Sequence, residues 1–183
     1  MLSINQMNQL APNVQRIMII GRSGSGKSTF AVKLSKIVNI PIFHLDKYFF
    51  ESNWIERNYN DFLAMQIEMV AKSNWIIDGN STRSYELRYK RADLCLYFNF
   101  PRWLCYWRVL KRLFDKDPNI DDRAPDCQET VRWPLLKYMW SFEARVNPIL
   151  QLLQSKYPHV PIIELQSDDD VSQFFHQYLE LDL

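Results

Sequence analysis

Apolar positions along this chain follow two alternating rhythms. Continuous runs at Arg16–Ile20, Ile40–Leu45, Trp75–Ile77, Leu94–Phe100 and Val160–Leu165 are rich in β-branched and aromatic residues and predict five buried strands. Between them, apolar residues recur three and four apart. Phe30, Ala31, Leu34, Ile37 and Val38 predict a helix over Lys27–Val38, and Phe62, Leu63, Ile67 and Val70 one over Tyr59–Lys72. Pro101 stops the fourth strand and suits the first turn of a helix over Arg102–Phe114. A helical stretch from Glu129 to Ser155 carries Pro134 and Pro148, either of which can start, kink or end a segment. A last helix runs from Asp168 to Leu179, with the acidic start suited to a helix N-terminus. Strands alternating with helices imply a parallel sheet covered on both faces, an α/β fold.

Composition narrows the class. A chain of 183 residues suits one domain, 1–183, with a real core. The hydrophobic fraction of 47% excludes a disordered chain, yet no apolar run approaches the roughly 20 residues of a membrane span. The opening MLSINQMNQLAPNVQ lacks the basic start and apolar core of a secretory signal, so a cytoplasmic protein is expected. Cys95, Cys105 and Cys127 form no CxxC pair, which argues for reduced thiols and against a zinc site. A net charge of +1 gives no global attraction to nucleic acid or anionic membrane. Residues 115–128, DKDPNIDDRAPDCQ, form the one long polar break and a candidate lid.

The chemistry is concentrated where the first strand meets the first helix. Gly21 to Ser28, GRSGSGKS, fits G-x-x-x-x-G-K-[ST] in the strand, loop and helix context that the P-loop pattern requires. Gly21, Gly24 and Gly26 let the backbone turn so that several N–H groups, with Ser23, Ser25 and Thr29 around them, meet one phosphate at the helix N-terminus. Lys27 is expected to bridge β- and γ-phosphates of ATP and Ser28 to coordinate Mg2+. No GxGxxG occurs, so a dinucleotide fold is unsupported, and no NKxD guanine-reading motif or LSGGQ-like stretch is present. Elimination favours a small kinase.

Two carboxylates fall at predicted carboxyl ends of strands, where open α/β sheets bind ligands. Asp46 follows the second strand in HLDKYFF, and Asp78 follows the third in IIDGNSTR. Asp78 suits a magnesium site reached through water. Asp46 suits proton acceptance from an acceptor hydroxyl, or help with the metal. His44 reads as a strand residue facing the core or the surroundings of Asp46.

RIMIIGRSGSGKST, IFHLDKYFFESNW, WIIDGN, ELRYKRADLCLYFNFPRWLCYWRVLKR and WSFEARVNPIL together resemble the adenylate-kinase-related P-loop family labelled DNA topology modulation protein or FlaR-related, over Arg16 to about Leu150. The resemblance implies a P-loop three-layer sandwich similar to nucleoside monophosphate kinases. Its five-stranded parallel sheet would have the order 2-3-1-4-5, with an acceptor arm at 47–73 and a lid. It also implies roles for arginines. Arg108 and Arg112 match a pair, one turn apart, that stacks on adenine and reaches the phosphates; Arg123, in the lid, would offset charge on the transferring group. Arg132 is a second candidate for that role. The acceptor stays open. Asp46 suits a hydroxyl, whereas Arg57, Arg83 and Arg88 near the acceptor segments suit a phosphate. Tyr48, Phe49 and Trp54 read as a stacking wall or, more often for such residues, as core. The other reading is a nucleotide-dependent regulatory protein that touches DNA through Arg102, Arg108, Lys111 and Arg112 interleaved with aromatics.

Overall fold

The structure, a computed structural model, describes the backbone of residues 14–112 and 133–181, and side chains as far as residue 177. Five strands form one sheet: β1 (Arg16–Gly21), β2 (Ile42–His44), β3 (Trp75–Asp78), β4 (Leu94–Phe98) and β5 (Ile162–Leu165). Every pairing is parallel and the spatial order is β2-β3-β1-β4-β5. This is the order 2-3-1-4-5 that the family resemblance implies. Parallel neighbours need crossovers, and the helices supply them: α1 (Lys27–Val38), α2 (Leu45–Phe49), α3 (Tyr59–Ala71), α4 (Tyr85–Tyr89), α5 (Arg102–Lys111), α6 (Trp133–Trp140), α7 (Phe142–Lys156) and α8 (Asp168–Leu181).

The two sides of the sheet carry separate cores, and the pleat assigns each strand residue to one of them. Ile17 and Ile19 of β1 join Phe30 and Leu34 of α1, Val109 of α5 and Phe174 of α8. Met18 and Ile20, the residues between, join Phe62 of α3, Tyr89 of α4 and Val146 of α7. Helices therefore cover both faces, giving three layers and explaining why the strands read as unbroken apolar runs.

Several elements differ from the sequence expectation, each for a local reason. The second strand is shorter than Ile40–Leu45, because α2 begins at Leu45. Asp46 thus lies in the first turn of a short helix rather than in a loop. Residues Phe50–Glu51 and Ile55–Glu56 pair as a small antiparallel hairpin, and Asn53 and Trp54 at its tip have φ of 60° and 61°. Pro134 occupies the first turn of α6, where a missing N–H removes no bond; Pro148 lies within α7. At α8 the acidic start forms a reciprocal cap. Asp170 accepts from the N–H groups of Gln166 and Ser167 while Ser167 Oγ accepts from Asp170 N–H, which frees Asp168 for another partner. Among the described residues, no helix is long and apolar enough to cross a membrane.

Candidate active site

The loop from Gly21 to Gly26 leaves the carboxyl end of β1 and enters α1 at Lys27. No side chain caps α1, so its first N–H groups point outward without a protein acceptor from a capping residue, the arrangement that suits an anion. Glycine is required at Gly24, whose φ is +82°, and a Cβ there would stand 2.3 Å from the backbone oxygen of Cys105. The loop is thereby pressed against α5. Its far side is fixed by Arg22, which is fully buried. Arg22 Nε donates to Met139 O at 2.9 Å, Nη1 to Phe100 O at 2.9 Å, and Nη2 to Glu143. One guanidinium thus joins the loop to the β4–α5 turn, to α6 and to α7. Asn80 closes the loop's start, donating to Gly21 O at 2.5 Å and accepting from Gly21 N–H at 3.1 Å.

Beside the loop lies a buried polar cluster. Ser28 Oγ donates to Asp78 Oδ2 at 2.8 Å, and His44 Nδ1 stands 3.0 Å from the same oxygen. Burial alone would push the Asp78 carboxyl up, but the Lys27 charge and the hydrogen bonds from His44 and Ser28 outweigh it and hold the pKa below its ordinary value. Asp78 is therefore ionised at neutral pH. Its other oxygen, Oδ1, and Ser25 Oγ are both buried without a hydrogen-bond partner. The orphaned Asp78 oxygen, with the Ser28 hydroxyl against the same carboxylate, is a hard-oxygen donor set that fits Mg2+ or its bound water.

A cavity of about 400 Å3 opens over the loop between α1, α5 and α8, with Gly26, Thr29, Phe100, Arg108 and Arg112 among its walls. Arg108 and Arg112 share this space, as the i, i+4 spacing predicts. Arg108 lies with its guanidinium 5.2 Å from the Phe100 ring centroid and donates to both carboxylate oxygens of Asp168, at 2.8 and 2.6 Å. A groove of about 470 Å3 between α3, α4 and Tyr157 lies elsewhere and contains none of the loop residues. Of the two, the smaller cavity is the one that meets the glycine-rich loop.

Asp46 is exposed on α2, and its charge is felt by Tyr138 of α6. Burial raises the Tyr138 phenol; Arg145 opposes the rise and Asp46 adds to it. Arg145 lies over the Tyr138 ring at 4.1 Å and donates to Tyr138 O at 2.9 Å. Arg83 is exposed and stacks 3.6 Å from the centroid of Tyr59. Two arginines expected to border an acceptor are instead occupied within the fold. Arg57 donates to Tyr48 O at 2.9 Å and pairs with Glu51 at 3.2 Å. Arg88 is fully buried, donates to Gly79 O and Ser81 O, and burial lowers its pKa to about 10. Phe49 packs on Phe62, and Trp54 on Phe50, as core and hairpin contacts. Residues 115–128, with Arg123, and Arg132 lie outside the described residues.

The parallel five-stranded sheet with a glycine-rich loop between β1 and α1 is an α/β fold that matches P-loop kinase folds. The solved structures it is similar to include shikimate kinase from Bacteroides thetaiotaomicron, at a TM-score of 0.57 and 18% identity over 93% of this chain and 100% of that one. Shikimate kinase from Acinetobacter baumannii in complex with shikimate aligns at 0.58 and 12% identity over 98% and 99%. Deoxyadenosine kinase from M.mycoides with bound dATP, at 0.47 and 15% identity over 89% and 98%, is too distant to carry an argument. No protein-family model matches the chain, and no curated protein matches it.

Proposed function

We propose that the protein is an ATP- and Mg2+-dependent kinase of a small molecule, a nucleoside, a nucleotide or a hydroxylated metabolite, built as one domain with an acceptor arm over 47–73. The observation that carries this reading is the gathering of Lys27, Ser28 and the half-satisfied Asp78 carboxylate at the mouth of an uncapped helix, with the separate carboxylate of Asp46 beside Tyr138. The sequence resemblance to nucleoside monophosphate kinase relatives points the same way.

Loop N–H groups and Lys27 bind the phosphates of ATP, and Arg108 and Arg112 face the nucleotide from α5. Ser28 Oγ and Asp78 would hold magnesium, which would neutralise phosphate charge when bound. Asp46, exposed to an incoming acceptor, orients its hydroxyl and takes the proton as the terminal phosphoryl group leaves ADP. Tyr138, Arg145 and Arg83 line up the acceptor's other polar groups, and Arg123 adds positive charge during transfer. The test is acceptor-dependent ADP release. Lys27→Ala should abolish it while the melting curve stays that of the wild type. Turnover at the wild-type rate in that variant contradicts the reading.

A second reading, a nucleotide-dependent protein that touches DNA, draws on Trp103 and Trp107, which are 71% and 61% exposed on α5 beside Arg102 and Lys111. Arg108 is committed to Asp168, which leaves that face less basic than its sequence. Absence of a gel shift with single-stranded and duplex DNA at low salt eliminates this reading.

A further inference from the structure

We infer that His44 is a positioning residue for the metal-binding carboxylate, holding Asp78 by one oxygen so that the other is left for a divalent cation delivered with the nucleotide. The inference rests on the P-loop reading above and assigns a task to a buried imidazole that phosphoryl transfer itself does not use.

The juxtaposition is made by strand register. His44 and Asp78 are Cα partners in the parallel pairing of β2 with β3, and each is the last residue of its strand. Partners in a parallel pair put their side chains on the same face, so a slip of one residue would send the imidazole to the other side of the sheet. Both residues are buried, at 7% and 3% exposure, which leaves little room for either ring or carboxylate to reorient.

The hydrogen bonds then divide the carboxylate. Oδ2 faces His44 Nδ1 at 3.0 Å and accepts from Ser28 Oγ at 2.8 Å, whereas Oδ1 has no partner although it is buried. An ionised carboxylate only accepts, so the imidazole tautomer that satisfies this geometry carries its hydrogen on Nδ1. A buried acceptor left unpaired is costly and calls for a partner. Lys27 is close enough to stabilise the charge of Asp78. A cation, or a water bound to it, completes the set. Ser28 fits the same arrangement, because a hydroxyl that gives its hydrogen to Asp78 still has lone pairs for the cation. His44 is not a ligand through Nδ1, which is spent on the carboxylate. Its work is the kind by which outer partners of metal ligands set affinity, a change of roughly 10- to 100-fold when they are lost.

Two substitutions separate this from simple packing. An asparagine amide nitrogen can occupy the place of Nδ1, whereas the glutamine amide reaches the place of Nε2. Mn2+ binding to the full chain with a non-hydrolysable ATP analogue, followed by electron paramagnetic resonance, reads the cation without turnover; calorimetry with the analogue and no metal reads the nucleotide. The wild type should bind the analogue without metal and gain Mn2+ in its presence. His44→Gln should raise the Mn2+ dissociation constant about 10-fold or more while metal-free analogue affinity stays within about twofold. His44→Asn should lie within about threefold of wild type for both. Equal Mn2+ affinity in all three proteins overturns the inference, and so does an equal fall in metal-free nucleotide affinity, which would mark His44 as packing alone. Should wild type bind no analogue, the P-loop reading fails first, visibly and before either variant is compared.

Discussion

At the residue scale, two positions carry sharp expectations. Gly24 cannot gain a side chain without displacing the α5 backbone at Cys105, and its positive φ disfavours any other residue. Gly24→Ala should lower stability by about 2 kcal/mol, in the range of overpacking plus backbone strain, and lower ATP affinity with it. Urea melts and nucleotide titration read both; unchanged values would mean the loop is not pressed against α5. Asp46 is exposed, so Asp46→Asn should leave the melt within about 0.5 kcal/mol. With a hydroxyl acceptor, kcat should fall by roughly 100-fold or more. A kcat within a few fold of wild type would place the acceptor among phosphates, which need no base. The strand, glycine-rich loop and helix around Gly21–Ser28 were legible in the sequence because their spacing is regular. Arg22 was not, since it fills a position where the pattern admits any residue, and its value comes from Met139, Phe100 and Glu143 far along the chain.

At the element scale, α6 and α7 connect the two halves of the site. Met139 and Glu143 receive Arg22 from the loop after β1, while Tyr138, with Arg145 over its ring, feels the charge of Asp46. Arg22→Met would strand Glu143 with Arg102 as its remaining partner, remove the Arg22 donor from Met139 O and leave Phe100 O with the weak Cys105 thiol donor. Breaking such a pair from one side should cost about 3 kcal/mol, and the loss should appear as a lower denaturant midpoint together with weaker ATP binding. A midpoint equal to wild type would show that the guanidinium does not tie these elements. Long periodic elements were readable from the chain: Lys27–Val38 is the same in sequence and structure, and Tyr59–Ala71 ends one residue short of the expected boundary. The five-residue helices α2 and α4 and the hairpin at Phe50–Glu56 were not, because so few residues display no period. The contact of His44 with Asp78 was equally hidden, since strand register is a long-range property.

For the whole molecule, acid sensitivity follows from carboxylates distributed over the sheet. Burial raises Asp93, but hydrogen bonds from Arg16 and from the Gln15 and Arg16 N–H groups lower it further, to a net value below the ordinary 3.8. Glu143 is likewise held below 4.5, chiefly by its hydrogen bond from Arg22, and Asp78 is held below 3.8. Lowered folded values mean that the unfolded chain takes up protons first as pH falls. Stability should be level from pH 7 to about 5 and decline below about pH 4 as these groups protonate. Urea midpoints across that range check it, and a midpoint independent of pH down to about 3 would contradict the assigned pairs. The fold class and strand order were available from the alternation of elements and the motif resemblance. The surroundings of Asp46 were not, because they depend on how Tyr138 and Arg145 reach it from α6 and α7, far along the chain.

The most direct measurement is transfer from γ-labelled ATP with Mg2+ to a panel of nucleosides, nucleoside monophosphates and hydroxylated metabolites, with Lys27→Ala as the blank. The account predicts label in one class of acceptor and none in the blank. ATP bound with no label transferred to any acceptor class, or label transferred equally by Lys27→Ala, would contradict it.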